Sequence, residues 1–422
     1  MSAVRKDLAT LISLLKIRGF IDHSAIKHNG QEYLMSDYGP PGTLLRQNIL
    51  KQWWDAVVCK QNNVYAVESP LLQPSDCTSE KQITRSSDEA VLRDQLQKDC
   101  SSKYLQVLKL SNGTLPFSIA SVGSCFSWKE NTQTTEPDLK NLFFGFSNYT
   151  RLIVQNYTSP AKSYSVFDYW LQLRLSWWKQ FSNNPAKFSV ISASNNNHKS
   201  TNGQVSTQAS GATNGKEQSQ NRIIVYEFPW GVEPIEEVSN LGDGPFHHVG
   251  SGEIEKYMGK TSGKLSCLPY CIECDTNIES AAAAWIIDSY VERPIISDTN
   301  TSKTKLAQVL KLHSKIAPYQ VSLAVQTSPV SNELRHICTH LEKEFKKANI
   351  SLFNASDHGS TIDAHFKRND QLGIPYTVIV NERTPTDGLV VTRHRDTQIQ
   401  VPSHMTEIVN DLKHNLDAQL VH

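Results

Sequence analysis

The sequence lacks an excess of charge of either sign and lacks long apolar runs. Its 42 lysines and arginines are balanced by 42 aspartates and glutamates, so bulk charge gives no evidence for nucleic acid and any such surface must be a local patch. No apolar run approaches the roughly 20 residues that a membrane-spanning helix needs. The eight cysteines have no framework spacing, which is typical of a reduced protein. These absences predict a soluble protein without disulfides and without a membrane partner.

Common catalytic signatures are also missing. The chain has no glycine-rich phosphate loop with a following lysine and no Ser/His/Asp order. Cys267, Cys271 and Cys274 form a C-x₃-C-x₂-C pattern that suggests a metal, but a fourth ligand would have to come from a distant histidine such as His247 or His248. Cysteines in an apolar strand are mostly small core residues. We therefore expect no metal and no cofactor.

The chain has enough apolar residues to form more than one hydrophobic core. A single core stops growing at roughly 250–300 residues, so 422 residues predict two or three domains. Residues 192–221 contain only four apolar residues, too few to offset the entropy of ordering, and this predicts a disordered polar insertion. Residues 294–304 have the composition of a linker. We expect one domain over 1–303 and a second over 304–422.

The apolar spacing predicts the main elements. Residues 8–19 repeat leucines at helical spacing, although the basic residues around them would also suit a weak mitochondrial presequence. A turn at 40–42 and then a long helix are predicted, followed by a marginal helix capped by Ser86 or Ser87. After residue 304, strands and helices alternate up to a last helix from about Ser403.

The order and sequence of several segments resemble those of the class II glycyl-tRNA synthetases. "SDYGPPGTLLRQNILKQWW" is similar to the first, dimer-forming motif, "LPFSIASVGSCFSWKEN" stands where the second belongs, and "LPYCIECDTNIES" stands where the third belongs. The end of the chain resembles an anticodon-binding domain. The resemblance implies an α/β (α+β) protein: an antiparallel sheet domain of the class II type, and a C-terminal α/β domain with a mixed five-stranded sheet.

The second motif departs from the pattern at its charged positions. In the family it reads G-x-x-F-R-x-E, and its arginine stabilises charge that develops on the ATP α-phosphate. Gly123 and Phe126 match, but Ser127 replaces the arginine and Lys129 replaces the acid. One cation is lost and one charge is reversed.

The third motif departs in the same way. In the family it ends in a glycine-rich run followed by an arginine that reaches the γ-phosphate. Here Asn277 and Glu279 replace the two glycines and Ser280 replaces the arginine. A glutamate where backbone should approach the nucleotide would repel phosphate, and a serine is too short to reach it. Losing both arginines would cost a factor of about 10⁴ or more, so the resemblance implies a protein without synthetase activity.

A class II body without its chemistry, joined to an anticodon-binding-like domain, resembles the accessory subunits of mitochondrial DNA polymerase gamma. The resemblance implies a mitochondrial, non-catalytic processivity subunit. It would bind the catalytic subunit and strengthen the grip on primer-template or double-stranded DNA. Vertebrate members dimerise with the help of a helical insertion between the first two motifs, and the corresponding interval here is short and polar, so a homodimer and a monomer both stay open. The alternatives are a divergent glycyl-tRNA synthetase and a paralogue of one that binds tRNA or other RNA.

Arg393 and Arg395 are the candidate residues for a partner or nucleic-acid surface in the last domain. They alternate along a predicted strand, so their guanidinium groups should point to one side, toward a phosphate or a carboxylate. Pairing of one of them with Asp396 or with a helix C-terminus is the equally weighted structural alternative.

Overall fold

The computed structural model describes residues 2–28, 31–74, 90–126, 139–144, 148–193, 220–263, 265–294, 306–326, 330–354 and 361–418. The predicted insertion at 192–221 lies outside the described residues over 194–219, and the predicted linker at 294–304 lies outside them over 295–304. Ser127 and Lys129, the two second-motif departures, also lie outside. In the part of the chain that the structure describes, no helix has the length and apolar character needed to span a membrane.

The described residues form both helices and strands. The helices are α1 (Ser2–Ile17), α2 (Pro40–Trp54), α3 (Gln97–Ser102), α4 (Tyr104–Leu110), α5 (Leu139–Phe144), α6 (Ser163–Gln180), α7 (Ile278–Ser289), α8 (Asn332–Lys347), α9 (Ile362–Leu372), α10 (Thr384–Asp387) and α11 (Ile408–Ala418).

The strands form two larger sheets and four two-stranded ones. They are β1 (Asp22–His28), β2 (Gln31–Asp37), β3 (Val64–Val67), β4 (Leu72–Pro74), β5 (Ala90–Leu92), β6 (Phe117–Phe126), β7 (Asn148–Thr158), β8 (Phe188–Ser192), β9 (Asn221–Phe228), β10 (Gly231–Gly242), β11 (Gly259–Lys260), β12 (Ser266–Cys267), β13 (Tyr270–Asn277), β14 (Tyr290–Pro294), β15 (Leu306–Leu310), β16 (Val321–Val325), β17 (Leu352–Asn354), β18 (Tyr376–Val380), β19 (Leu389–His394) and β20 (Gln400–His404).

The larger sheet has seven strands in the order β3-β6-β7-β13-β10-β9-β8. Every neighbouring pair is antiparallel except β3 and β6. Alternate residues of its strands point to opposite faces. One face packs against α2, α6 and α7 in the main apolar core, and the other packs against α3 and α4. This arrangement is the antiparallel sheet that the resemblance implied.

The tryptophan-rich helix α6 is core, as its aromatic spacing suggests. Trp177 and Trp178 are buried and contact Trp285 of α7, with ring centroids 5.0 and 5.3 Å apart. Arg174, one turn before them, is fully buried and donates from Nε to Glu236 of β10 at 2.6 Å. Trp178 donates its indole N–H to the same carboxylate. Helix and sheet are therefore joined by a buried ion pair inside an aromatic cluster.

The second sheet has five strands in the order β17-β16-β18-β19-β20. β16 runs parallel to β17 and β18, whereas β19 and β20 are antiparallel additions. Apolar residues of α8 and α11 pack against the sheet face that carries Val321, Val378 and Val390. The predicted mixed five-stranded sheet is confirmed.

Three local predictions were wrong. Pro40 begins α2 instead of forming a turn. The backbone N–H of a first helical residue has no partner within the helix, so a proline, which lacks this N–H, is well suited to the position. Ala90–Leu92 form a strand paired with Leu72–Pro74 where a marginal helix was predicted, so tertiary pairing overrides a weak propensity; Ser86 and Ser87 lie outside the described residues. Gln400–His404 pair with β19, and the last helix begins only at Ile408.

The first helix, α1, belongs to the core. Its buried residues Leu11, Ile12, Leu14 and Leu15 join the main apolar cluster. The core-helix interpretation of the helical leucine spacing is thus confirmed by its packing.

The two parts of the chain share one apolar cluster. β14 and β15 pair as an antiparallel ribbon at the junction. Arg18 of the segment after α1 donates to the side chain of Gln371 in α9 at 2.9 Å, and Asn48 of α2 donates to the carbonyl of Ala317 at 2.7 Å. Apolar residues from the end of β15 onward are part of the same cluster as α1 and α2: Leu310, Leu312, Ile316, Ala317, Leu372 and Ile374.

Candidate functional site

The second-motif and third-motif strands, β6 and β13, flank β7 in the seven-stranded sheet. Gly123 of β6, Gln155 of β7 and Glu273 of β13 lie on the face that carries α3 and α4, since their neighbours Cys125, Tyr157 and Cys271 pack there. We call this surface the motif face. The resemblance implies that a synthetase would hold its nucleotide on it.

Arg93 closes one end of the motif face. Its guanidinium lies directly over Gly123, and a Cβ on that glycine would overlap it. The side chain is buried and donates to the carbonyl of Ser124 at 2.9 Å, to the carbonyl of Ser69 at 3.1 Å and to Asp99 at 3.0 Å. The glycine that matches the second motif therefore accommodates an arginine of this chain.

Two carboxylates of β13 lie further along the motif face, each with a partner from a neighbouring element. Glu273 accepts from Gln155 at 2.7 Å, and Asp275 accepts from Arg151 of β7 and from Gln97 of α3, both at 2.7 Å. Burial raises the pKa of Glu273 to about 7, and the nearby charge of Asp275 adds to the effect. Burial also raises the pKa of Asp275 to about 6, although Arg151 opposes the change. Near neutral pH the pair holds less than two full negative charges.

A pocket of about 730 Å³ is left beside these carboxylates. Gln155 and Glu273 line it from the sheet, Leu105 lines it from α4, and Phe246 and Tyr257 line it from the loop after β10. Further polar side chains line it from α3 and from the loop after β10: Gln97, Ser101, Ser102 and the exposed Lys98 and His248. The lining is mostly apolar, so the pocket suits a small, largely uncharged group better than a triphosphate.

The three third-motif departures lie at the start of α7, away from the pocket. Asn277 caps the helix by accepting from the backbone N–H of Ser280 at 2.7 Å, as expected for an asparagine in this position. Glu279 is buried and accepts from Arg46 of α2 at 2.7 Å and from the backbone N–H of Thr150 at 3.0 Å. Its carboxylate is therefore tied to the first-motif helix, and repulsion of phosphate is not needed to explain it. Ser280 is buried in the helix.

Arg393 and Arg395 are only 5% and 3% exposed, respectively. Arg393 forms a two-pronged ion pair with Asp370 of α9, at 2.8 and 3.1 Å. Arg395 pairs with Asp396 at 2.8 Å and donates to the carbonyl of Gly373, which caps the C-terminus of α9, at 2.8 Å. The sequence left open whether these arginines bind a ligand or stabilise the fold. Their internal contacts favour a stabilising role for both.

The three cysteines of the C-x₃-C-x₂-C pattern do not converge. Cys271 packs in the core under α3 and α4, and Cys274 packs in the main core on the opposite face of the sheet. Within the described ranges, no group of three or more His, Cys, Asp or Glu is arranged to hold a metal ion. The burial of Cys271 and Cys274 fits the interpretation of these two residues as small core side chains, whereas Cys267 is only partly buried.

Sequence reasoning did not single out Arg93, Gln97 or Asp275. Asp275 could have been found, because it follows Glu273 by two residues in a strand and must share its face. Arg93 and Gln97 gave no such signal, since they lie in a polar stretch whose contacts with the sheet come only from the tertiary fold.

This geometry is that of a class II aminoacyl-tRNA synthetase-like fold. A prolyl-tRNA synthetase from Cryptosporidium parvum, solved with L-proline and AMP, superposes with a TM-score of 0.65 at 13% identity, over 97% of this chain and 78% of that one. Residues 324–415 match the family model described as anticodon binding domain.

Curated relatives point to a narrower group. The chain is similar to DNA polymerase subunit gamma-2 of Bos taurus, with 26% identity over 88% of this chain and 77% of that protein. DNA polymerase subunit gamma-2, mitochondrial, of Xenopus laevis is 26% identical over 96% of this chain and 87% of its own length. Glycine--tRNA ligase of Treponema denticola is 23% identical over 96% of both chains. The chain thus resembles polymerase accessory subunits and, at lower identity, a tRNA ligase over nearly its whole length.

Proposed function

We propose that this protein is a non-catalytic accessory subunit of a mitochondrial DNA polymerase. It binds the catalytic subunit and strengthens the holoenzyme's hold on primer-template DNA during mitochondrial DNA replication. The whole-length similarity to DNA polymerase subunit gamma-2 supports this role. We further propose that residues 1–303 form the synthetase-like domain and that residues 304–422 form the anticodon-binding-like domain.

The observation that carries the non-catalytic part of the proposal is that side chains of this chain cover part of the motif face. Arg93 covers Gly123 on β6, and Gln97 is hydrogen-bonded to Asp275 on β13, so side chains of this chain occupy both strands that would flank a nucleotide. The arginines expected from the second and third motifs are replaced by Ser127 and Ser280. An adenylate would have to displace a buried ion pair while lacking its own cationic partners, which is unfavourable on both counts.

The test is reconstitution with the catalytic subunit. We expect the two chains to co-purify and a stoichiometric addition to lengthen the primer extension made per binding event, measured with a heparin trap. The matched control is the same chain after heat denaturation. Extension lengths that do not change when the folded chain is added would refute the role.

The retained pocket beside Glu273 and the similarity to glycine--tRNA ligase favour one rival, a divergent synthetase. Glycine-dependent exchange between ATP and pyrophosphate separates the two functions. We expect no exchange above a no-enzyme blank, whereas a bacterial glycine--tRNA ligase run in parallel gives a clear signal. Exchange by this chain would replace our proposal with the synthetase.

A further inference from the structure

Helix α8 presents an exposed arc of residues that carries cations, and the acids of the helix lie outside this arc. Its buried residues Leu334, Leu341 and Phe345 pack against the five-stranded sheet, which fixes the opposite side toward solvent. At ~100° per residue, most of that solvent side is an arc of about 140° whose members are all exposed: Arg335, Lys346, Thr339, Asn332, Lys343, His336, Lys347 and His340. We call this surface the α8 basic face.

The acids of α8 lie at the two margins of this face. Glu342 borders it on one side and pairs with Lys346 at 2.6 Å. On the other side the exposed Glu333 lies at the edge beside His340, and Glu344, which pairs with Lys347 at 2.6 Å, lies just beyond it. Exposed pairs of this kind are worth about 0–1 kcal/mol, so the lysines can exchange these partners for a stronger anion. Arg335, near the N-terminal end of the face, and Lys343, near its centre, are exposed to solvent.

We propose that the α8 basic face binds the phosphate backbone of duplex DNA. The proposal rests on the accessory function above and assigns a surface to its DNA contact. The helix rises about 18 Å between Arg335 and Lys347 at 1.5 Å per residue, a length over which a duplex, with one charge per ~1.7 Å of its axis, offers several backbone phosphates. Cations mixed with the neutral donors Asn332 and Thr339, and free of carboxylates, are the residue types that contact phosphate and sugar.

A repeating anion fits this face better than a single acidic side chain does. The cations are spread along three turns of the helix, whereas one carboxylate would engage one of them. The buried arginines Arg393 and Arg395 cannot serve the same purpose, because internal carboxylates and carbonyls hold both. The α8 basic face is therefore the surface in this part of the fold that we assign to DNA.

The experiment measures binding of a fluorescein-labelled primer-template duplex to the whole chain without the polymerase. We expect Arg335→Glu/Lys343→Glu to weaken binding about tenfold or more and to reduce the slope of log K against log salt by about 1–2. The control is Lys109→Glu/Lys162→Glu, which makes the same change in net charge at exposed positions of the other sheet domain. It should bind like wild type, and all three proteins should show equal melting temperatures.

Each other outcome overturns the assignment. Equal weakening by both double variants would mean that only net charge matters, and no binding by wild type would mean that the chain contacts no DNA by itself. Loss of catalytic-subunit capture by Arg335→Glu/Lys343→Glu, with duplex binding unchanged, would make the occupant an acidic protein surface. Capture of the catalytic subunit by wild type is scored separately, so the accessory function can stand when the α8 assignment fails.

Discussion

The guanidinium of Arg93 shows how one side chain can change the use of a surface. It is held by two carbonyls and one carboxylate, and it occupies the space that a glycine leaves open on β6. A close backbone approach requires glycine there, whether the approaching group is a nucleotide or an arginine. The retained Gly123 is therefore compatible with a protein that has no nucleotide at this place.

Glu273 should make the stability of the protein depend on pH. Its pKa is raised from 4.5 to about 7, so the folded state favours the protonated carboxyl. The stabilisation is complete below about pH 4.5 and is lost as the pH rises through about 7. We expect Glu273→Gln, which keeps an uncharged partner for Gln155, to be the more stable protein at about pH 8, by roughly 1–3 kcal/mol.

Urea unfolding of both proteins at about pH 5 and about pH 8 measures this effect. The informative quantity is the difference between the two proteins, because other groups titrate in the same range. Burial lowers the pKa of His394, for example, which makes stability rise with pH and opposes the trend of Glu273. An equal change of midpoint in both proteins would show that Glu273 does not carry the dependence.

At the scale of elements, α9 is clamped by three arginines. Asp370 accepts from Arg393 and, at 2.7 Å, from Arg293 of β14, while Arg395 donates to the carbonyl at the C-terminal cap of the helix. Removing Arg393 leaves a buried carboxylate with one partner fewer. We expect Arg393→Ala to destabilise the protein by about 2–4 kcal/mol, seen as a lower melting temperature.

The same variant distinguishes a structural arginine from a binding one. Well below its melting temperature, we expect Arg393→Ala to capture the catalytic subunit and duplex DNA as wild type does. The exposed Lys367→Ala, on the same helix, is the control for stability and should melt like wild type. A variant with wild-type stability but weak binding would return Arg393 to the list of interface residues.

Strand β20 forms an exposed edge of the five-stranded sheet, and Pro402 lies at its centre. His394 donates its backbone N–H to the carbonyl of Ile399, and Met405 donates to that of Gly388. In an antiparallel pair this alternation turns the backbone nitrogens of 399, 401 and 403 toward β19 and that of Pro402 outward. A proline on the outer side blocks the addition of another strand.

Replacing Pro402 should therefore open this edge. Pro402→Thr restores an outward N–H on this exposed part of β20, and we expect more self-association, measured by light scattering at several protein concentrations. Pro385→Thr, on the exposed start of α10, is a control that leaves the edge unchanged. Unchanged scattering by Pro402→Thr would mean that the twist of the strand already protects the edge.

The elements also show what the sequence alone could predict. The sheet domains, the amphipathic helix α8 and the aromatic core of α6 follow from long periodic patterns, and all are present. The strand at Ala90–Leu92 and the edge strand at Gln400–His404 were missed because each is short and exists through pairing with another strand, β4 for the first and the preceding strand β19 for the second. Within the site, the sequence shows that Asn277, Glu279 and Ser280 differ from the third motif. It does not show where their side chains point, for example that Arg46 binds Glu279.

At the scale of the whole molecule, the two sheets should unfold together. Residues beyond β15, among them Leu312 and Ile374, belong to the same apolar cluster as α1 and α2, and Arg18 and Asn48 bond across the junction. Separating the parts would expose this shared apolar surface at about 25 cal/mol per Å². We therefore expect one cooperative transition, although chains of this size often unfold domain by domain.

The distribution of tryptophan makes this prediction testable without a label. All eight tryptophans precede residue 286, so their fluorescence reports only on the part that contains the seven-stranded sheet, whereas far-ultraviolet circular dichroism reports on both parts. We expect the two signals to give coincident midpoints in urea.

A matched pair of variants then tests the coupling between the two parts. Leu312→Ala removes a side chain buried in the shared cluster and should lower both midpoints together. Leu341→Ala removes a side chain buried between α8 and its sheet, and it should also lower both midpoints because the parts are coupled. A Leu341→Ala protein whose circular dichroism midpoint falls while its fluorescence midpoint stays in place would show instead that the five-stranded sheet unfolds on its own.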